Sequence, residues 1–111
     1  MATELVLLSD VEVTHEHVVH AAADAHPDGT YVTYRGGDIG QLVDASARPL
    51  LTIFRSRPVA HPREAASAVT DPPVAFGLWT EMTIPYGDTG AGRAAAEAVA
   101  AAVGGVVKER V

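Results

Sequence analysis

The chain has 111 residues, 48% of them hydrophobic, a formal charge of −6 at pH 7 and no cysteine. That length fits one domain with a single core, and the missing cysteine excludes a disulfide framework, a thiolate metal site and thiol catalysis. Only eight Lys and Arg stand against fourteen Asp and Glu, which argues against a general nucleic-acid binder, because neutralising phosphates needs basic side chains.

In chain order, Glu4 to Leu8 is a short apolar run that predicts a central strand. A helix is predicted from Thr14 to His26. Thr14 is its cap, and His17 stands at the third helical position, where a full capping box carries Glu. On a wheel Val18, Val19, Ala22 and Ala25 face inward with His15 and His26 beside them, while Glu16, His17, His20 and Asp24 face out. His15 is expected to face the core and donate to a backbone carbonyl, and His26-Pro27-Asp28-Gly29 stops the helix. Tyr31 to Arg35, Ile39 to Asp44 and Leu50 to Arg55 read as three strands of a meander. The first turn is at Gly36-Gly37, where two glycines suit the positive φ angles of a tight hairpin, and the second spans Ala45 to Pro49. Arg57 to Pro73, bracketed by Pro58, Pro62, Pro72 and Pro73, reads as a connection over the sheet edge, with Pro62 opening a short helix from Arg63 to Val69.

The last third is the clearest unit. From Val74 to Ile84 alternation puts Val74, Phe76, Leu78, Met82 and Ile84 on one face and Ala75, Gly77, Trp79, Glu81 and Thr83 on the other. Pro85, Gly87, Gly90 and Gly92 then break the period, with Asp88 or Thr89 as cap for a helix from Ala91 to Val103. Its small inward residues, Ala95, Ala98, Val99, Ala102 and Val103, let the axis lie close to a sheet, while Arg93 and Glu97 form an exposed i,i+4 pair. Gly104 and Gly105 provide a left-handed stop, and a last short strand begins at Val106. The strands on either side of this helix should be parallel.

The order β-α-β-β-β-(α)-β-α-β predicts an α/β (α+β) single domain, residues 1–111: a two-layer sandwich with a mixed five- or six-stranded sheet and two main helices on one face. In pattern it is distantly similar to the ferredoxin-like βαββαβ plan. The opening residues lack a positively charged region and a long apolar run, so neither a signal peptide nor a membrane span is expected, and a cytoplasmic location is the expectation.

Function is weakly encoded. The face opposite the helices should carry Trp79 and Glu81 with meander residues such as Tyr31 or Tyr34, Gln41 and Arg55, a mixed aromatic and polar surface for a protein partner, a second copy or a flat ligand. The competing account makes Trp79 plain core, sealed by the connection from Arg57 to Pro73. Residues 1–34 hold Glu4, Asp10, Glu12, Glu16, Asp24 and Asp28 and no Lys or Arg, whereas 48–63 hold Arg48, Arg55, Arg57 and Arg63 and no acid; these are solvated edges or a docking patch. His17, His20 and Asp24 share an exposed helix face and form a metal candidate, but the spacing is not His-Glu-x-x-His. Gly90, Gly92 and Arg93 form an anion candidate in a glycine-rich turn that lacks the Lys and Ser/Thr of a P-loop. Ser9, Ser46, Ser56 and Ser67 lie in no nucleophile elbow.

These observations favour a small acidic protein without catalytic activity or cofactor, acting by protein contact as an inhibitor, immunity-type protein or accessory subunit, with a homodimer possible through an unpaired meander edge. The alternative is a small-molecule binder or small enzyme with a pocket between the sheet and the 57–73 connection, lined by Trp79, Glu81, Tyr31 and Arg55.

Overall fold

The computed structural model describes residues 2–25, 27–73, 75–85 and 89–110. The helix stop at His26, Val74 at the head of the expected strand, and Tyr86, Gly87 and Asp88 of the glycine-rich turn lie outside the described residues. The elements are β1 (Thr3–Ser9), α1 (His15–Ala25), β2 (Thr30–Tyr34), β3 (Ile39–Val43), β4 (Pro49–Phe54), β5 (Arg57–Pro58), β6 (Leu78–Ile84), α2 (Thr89–Val103) and β7 (Val106–Glu109).

They form an α+β fold on one open sheet of seven strands, ordered β2-β3-β4-β6-β1-β7, with the two-residue β5 pairing β6 beyond the break that ends β4. Every pairing is antiparallel, which corrects the mixed five- or six-stranded sheet expected from the crossover. The reason lies in β1. It is inserted between β6 and β7, with Leu5 opposite Met82 on one side and Glu109 on the other, so the strands joined through α2 run the same way without touching. Leu5 to Ser9 are all buried, as a strand covered on both faces requires, and this explains an apolar run without alternation.

Both helices lie on one face. There Leu5, Leu7, Leu42, Leu51, Ile53, Met82 and Ile84 meet Val18, Ala21 and Ala22 of α1 and Ala95, Ala96, Val99, Ala100 and Val103 of α2. The buried stripes are rotated from the expected ones: Val19 of α1 is 41% exposed and Ala102 of α2 is exposed. Each helix packs against the other as well as the sheet, which turns its inward direction towards the partner helix. Small residues permit this closeness. A methyl group added at Gly92 would sit 2.5 Å from the Leu50 carbonyl oxygen.

The helix ends follow local chemistry. The Thr14 hydroxyl accepts the His17 N–H at 3.3 Å, and His17 Nδ1 accepts the Thr14 N–H at 3.1 Å, so the imidazole fills the Glu place of a capping box. At the far end of α2, Gly104 has φ of 65°, and the Gly105 N–H donates to the Ala100 carbonyl, closing the left-handed stop expected there. Arg93 pairs with Glu109 at 3.3 Å across to β7, in place of the expected Glu97.

The second face is partly covered. The 57–77 connection, with a helical turn at Pro62–Ser67, lays Ala65, Val69 and Phe76 over Val6 and Leu8, and Val59, Ala68 and Trp79 flank this smaller cluster. Phe76 therefore belongs to the loop and to this face, not to a strand face shared with Met82, because β6 begins only at Leu78. Ser56, in the break between β4 and β5, ties the layers. Its hydroxyl lies 2.7 Å from Thr80 Oγ1 and accepts the Val13 N–H at 3.2 Å.

Candidate functional site: the uncovered half of the sheet face

Because residues opposite one another in antiparallel strands share a face, the register assigns every side chain. Tyr34, Ile39 and Phe54 form one row across β2, β3 and β4, and Val32, Gln41 and Thr52 form the next, continuing to Thr83 of β6. This is the face away from the helices, beside the part that the 57–77 connection covers. Val32 is 39%, Tyr34 50% and Phe54 36% exposed, large apolar side chains left open to solvent on the outer strand β2 and the inner strand β4. Gln41 Nε2 donates to Thr52 Oγ1 at 3.4 Å between them.

The rows end on charge. Glu81 of β6 accepts from Arg110 Nη1 at 2.6 Å and lies 3.6 Å from Arg57 Nη2. The Arg110 guanidinium also stands over the Trp79 ring, 6.0 Å from its centroid, within cation–π range. Trp79 is half-buried at the seam between covered and uncovered halves, and its indole N–H, buried, has no hydrogen-bond partner among the described residues.

Of the residues singled out in the sequence, Trp79, Glu81, Tyr34 and Gln41 share this face. Tyr31 and Arg55 do not, and their expected place is corrected. Tyr31 lies opposite Leu42, and Leu42 opposite Leu51, so Tyr31 points to the helix side and packs on the main core. A side chain at Gly40 would overlap the Tyr31 hydroxyl, so the glycine leaves room for the phenol to cross β3. Burial pushes the Tyr31 phenol above its ordinary value, since the phenolate loses hydration. Arg55 pairs with Asp38 at 3.0 Å. Both line a cleft of about 450 Å³ at the start of α1, with Glu12, Thr14, His15 and Thr33. His15 is exposed there, its ring 5.2 Å from that of Tyr31, and is not the core residue expected.

Val32, Ile39, Thr52 and Phe54 were not among the sequence candidates. Their alternation with Leu42, Leu51 and Ile53 was visible, but which phase faced outward depended on pairing to β6. The other candidates are used elsewhere. Gly92 is spent on helix–sheet contact and Arg93 on Glu109. His17 is engaged with Thr14, and among the described residues no three His, Asp or Glu side chains gather for a metal ion. Of the 48–63 arginines, Arg48, Arg55 and Arg57 pair with Asp44, Asp38 and Glu81. No helix among the described residues is long and apolar enough to cross a membrane. Comparison with protein-family models, with curated proteins and with solved structures finds no match for this chain.

Proposed function

We propose that this is a non-catalytic protein-binding module, of inhibitor, immunity-type or accessory-subunit kind, whose contact surface is the uncovered half of the sheet. One observation carries the reading. Tyr34 and Phe54 stand exposed in a single row with Ile39 between them, on an antiparallel face with Gln41 and Thr52 beside it and Glu81, Arg57 and Arg110 at its end. Aromatic anchors inside a polar and charged rim are the composition of protein interfaces, and the charged end gives a partner its orientation. The chain's net charge of −6 favours a basic partner.

The test is site-specific photo-cross-linking in extract of the source cells. A photo-reactive phenylalanine analogue replacing Phe54 should give a discrete adduct with one protein, and the same analogue replacing Glu97, exposed on α2, should not. Equal yields at both positions would overturn the reading.

A second reading is favoured by the unpartnered indole N–H. Trp79 also lines a recess of about 290 Å³ with Arg57, Val59, His61 and Glu64, between the sheet and the 57–73 connection. A small polar ligand accepting from that N–H would raise the melting temperature and change Trp79 fluorescence. A metabolite panel that moves neither removes this alternative.

A further inference from the structure

β2 and β7 are the two outer strands, and they differ in chemistry. β7 carries Lys108 and Glu109, and Arg110 just beyond it bridges to Val69, so charge and a chain crossing guard that edge. β2 reads Thr-Tyr-Val-Thr-Tyr, with no charge, proline or glycine, and its pairing to β3 runs without a bulge. Its outward N–H and C=O groups carry none of the usual guards against strand pairing. Apolar side chains flank this edge on both sides of the sheet. Val32 and Tyr34 lie exposed on the uncovered face. On the helix side Val19, 41% exposed, stands one turn beyond His15 on the stripe of α1 that reaches Tyr31.

The charges at the strand ends indicate the occupant. Asp28 precedes β2 and Arg35 follows it; both are exposed, and neither makes an ion pair among the described residues. A two-fold axis through Val32, perpendicular to the sheet, sets Val32 opposite its own copy, Tyr31 opposite Thr33 and Thr30 opposite Tyr34. Every side chain then stays on the face it already occupies, as register requires. Gly29 falls opposite Arg35, which brings Asp28 of each copy beside Arg35 of the other, twice. A parallel arrangement would set Asp28 on Asp28 and Arg35 on Arg35. The edge is thus complementary to itself in one orientation.

We propose that the protein forms a symmetric dimer in which β2 pairs antiparallel with β2 of a second copy, centred on Val32, making one sheet continuous through both copies. The pairing places the two uncovered faces side by side on the same side of the joint sheet, which doubles the surface proposed above. It goes beyond that reading and does not depend on it, because it uses the strand edge and not Phe54.

Sedimentation of the full chain tests it. Wild-type protein should sediment at twice the chain mass. Val32→Lys and Val32→Glu each place like charges face to face on the axis and should each weaken the dimer by about tenfold or more; mixing the two should restore it. Asp28→Arg, outside the strand and on the surface, should also weaken the dimer, and Asp28→Arg with Arg35→Asp should recover it, which keeps the test available if a Val32 variant folds poorly. Phe54→Lys should leave the dimer intact, so loss of the partner surface and loss of the dimer are told apart. A monomeric wild type, a dimer indifferent to the Asp28 and Val32 changes, or mixed Val32 variants that stay monomeric would each overturn the proposal.

Discussion

Gly92→Ala should destabilise the fold even though it improves the helix locally. In an exposed helix interior, Gly to Ala gains roughly 1 kcal/mol of helix propensity. At this position the new methyl carbon would stand 2.5 Å from the Leu50 carbonyl oxygen, 2.8 Å from Ile84 Cγ2 and 3.2 Å from Ile84 Cγ1. Ordinary carbon–oxygen contacts begin near about 3.3 Å. The Ile84 branches can turn by a rotamer, but the carbonyl belongs to the backbone of β4 and cannot. Relief requires α2 to lift from β4 or slide along it, and overpacking of this kind costs roughly 1–3 kcal/mol, occasionally more. Because the tightest clash is with backbone, the cost falls in the upper part of that range, about 2–3 kcal/mol, and a net loss of about 1–2 kcal/mol remains after the helix gain is subtracted. At this chain length that lowers the melting temperature by about 4 °C per kcal/mol. Urea unfolding followed by far-ultraviolet circular dichroism measures it, and the midpoint should fall with an unchanged slope. A variant as stable as wild type, or more stable, would refute the close approach of α2 to β4.

Ser56→Ala removes the acceptor of the Val13 N–H and the partner of the buried Thr80 hydroxyl, and thermal denaturation should show a loss of about 1–3 kcal/mol, where an unchanged midpoint would contradict the bridge. His17→Glu completes the capping box with a carboxylate near the positive end of α1, and should gain about 0.3–1 kcal/mol at neutral pH. The Asp44 carboxyl is held below its ordinary value, first by the Arg48 N–H, against some desolvation, and then by the Arg48 side chain and the Ser46 N–H. Its contribution is present above the ordinary carboxylate range and disappears as pH falls through the lowered value, so Asp44→Asn should flatten the acid limb of stability against pH. The Tyr31 phenol is raised by burial, so its contribution is present below about pH 10 and is lost as pH rises towards the folded value; Tyr31→Phe should remove that alkaline dependence.

What was legible in the sequence was local. The Thr14 cap, positive φ at Gly36-Gly37 and the Gly104-Gly105 stop depend on neighbours within a few residues, and each is present. Arg35 joins Gly36 and Gly37 at positive φ in the hairpin, a detail that no glycine announces. What was not legible was non-local. Nothing near Leu5 states that β1 will separate β6 from β7, and the antiparallel sheet follows from that insertion. The face on which a strand residue lies depends on register with distant partners, and a wrong phase sent Tyr31 and Arg55 to the wrong side while hiding Phe54. The 57–77 connection had no period to declare what it covers, yet its Ala65, Val69 and Phe76 decide that only part of the sheet face stays open.

In the proposed function, Tyr34 and Phe54 anchor a protein partner on the uncovered half of the sheet. The most direct measurement is the affinity of the partner cross-linked at position 54 for wild type and for a Tyr34→Lys, Phe54→Lys double variant, by calorimetry. Aromatic anchors at an interface centre are each worth about 2 kcal/mol or more, about 4 kcal/mol for the pair, so the double variant should bind more weakly by roughly 500-fold or more. Wild-type affinity in a folded double variant would contradict the account.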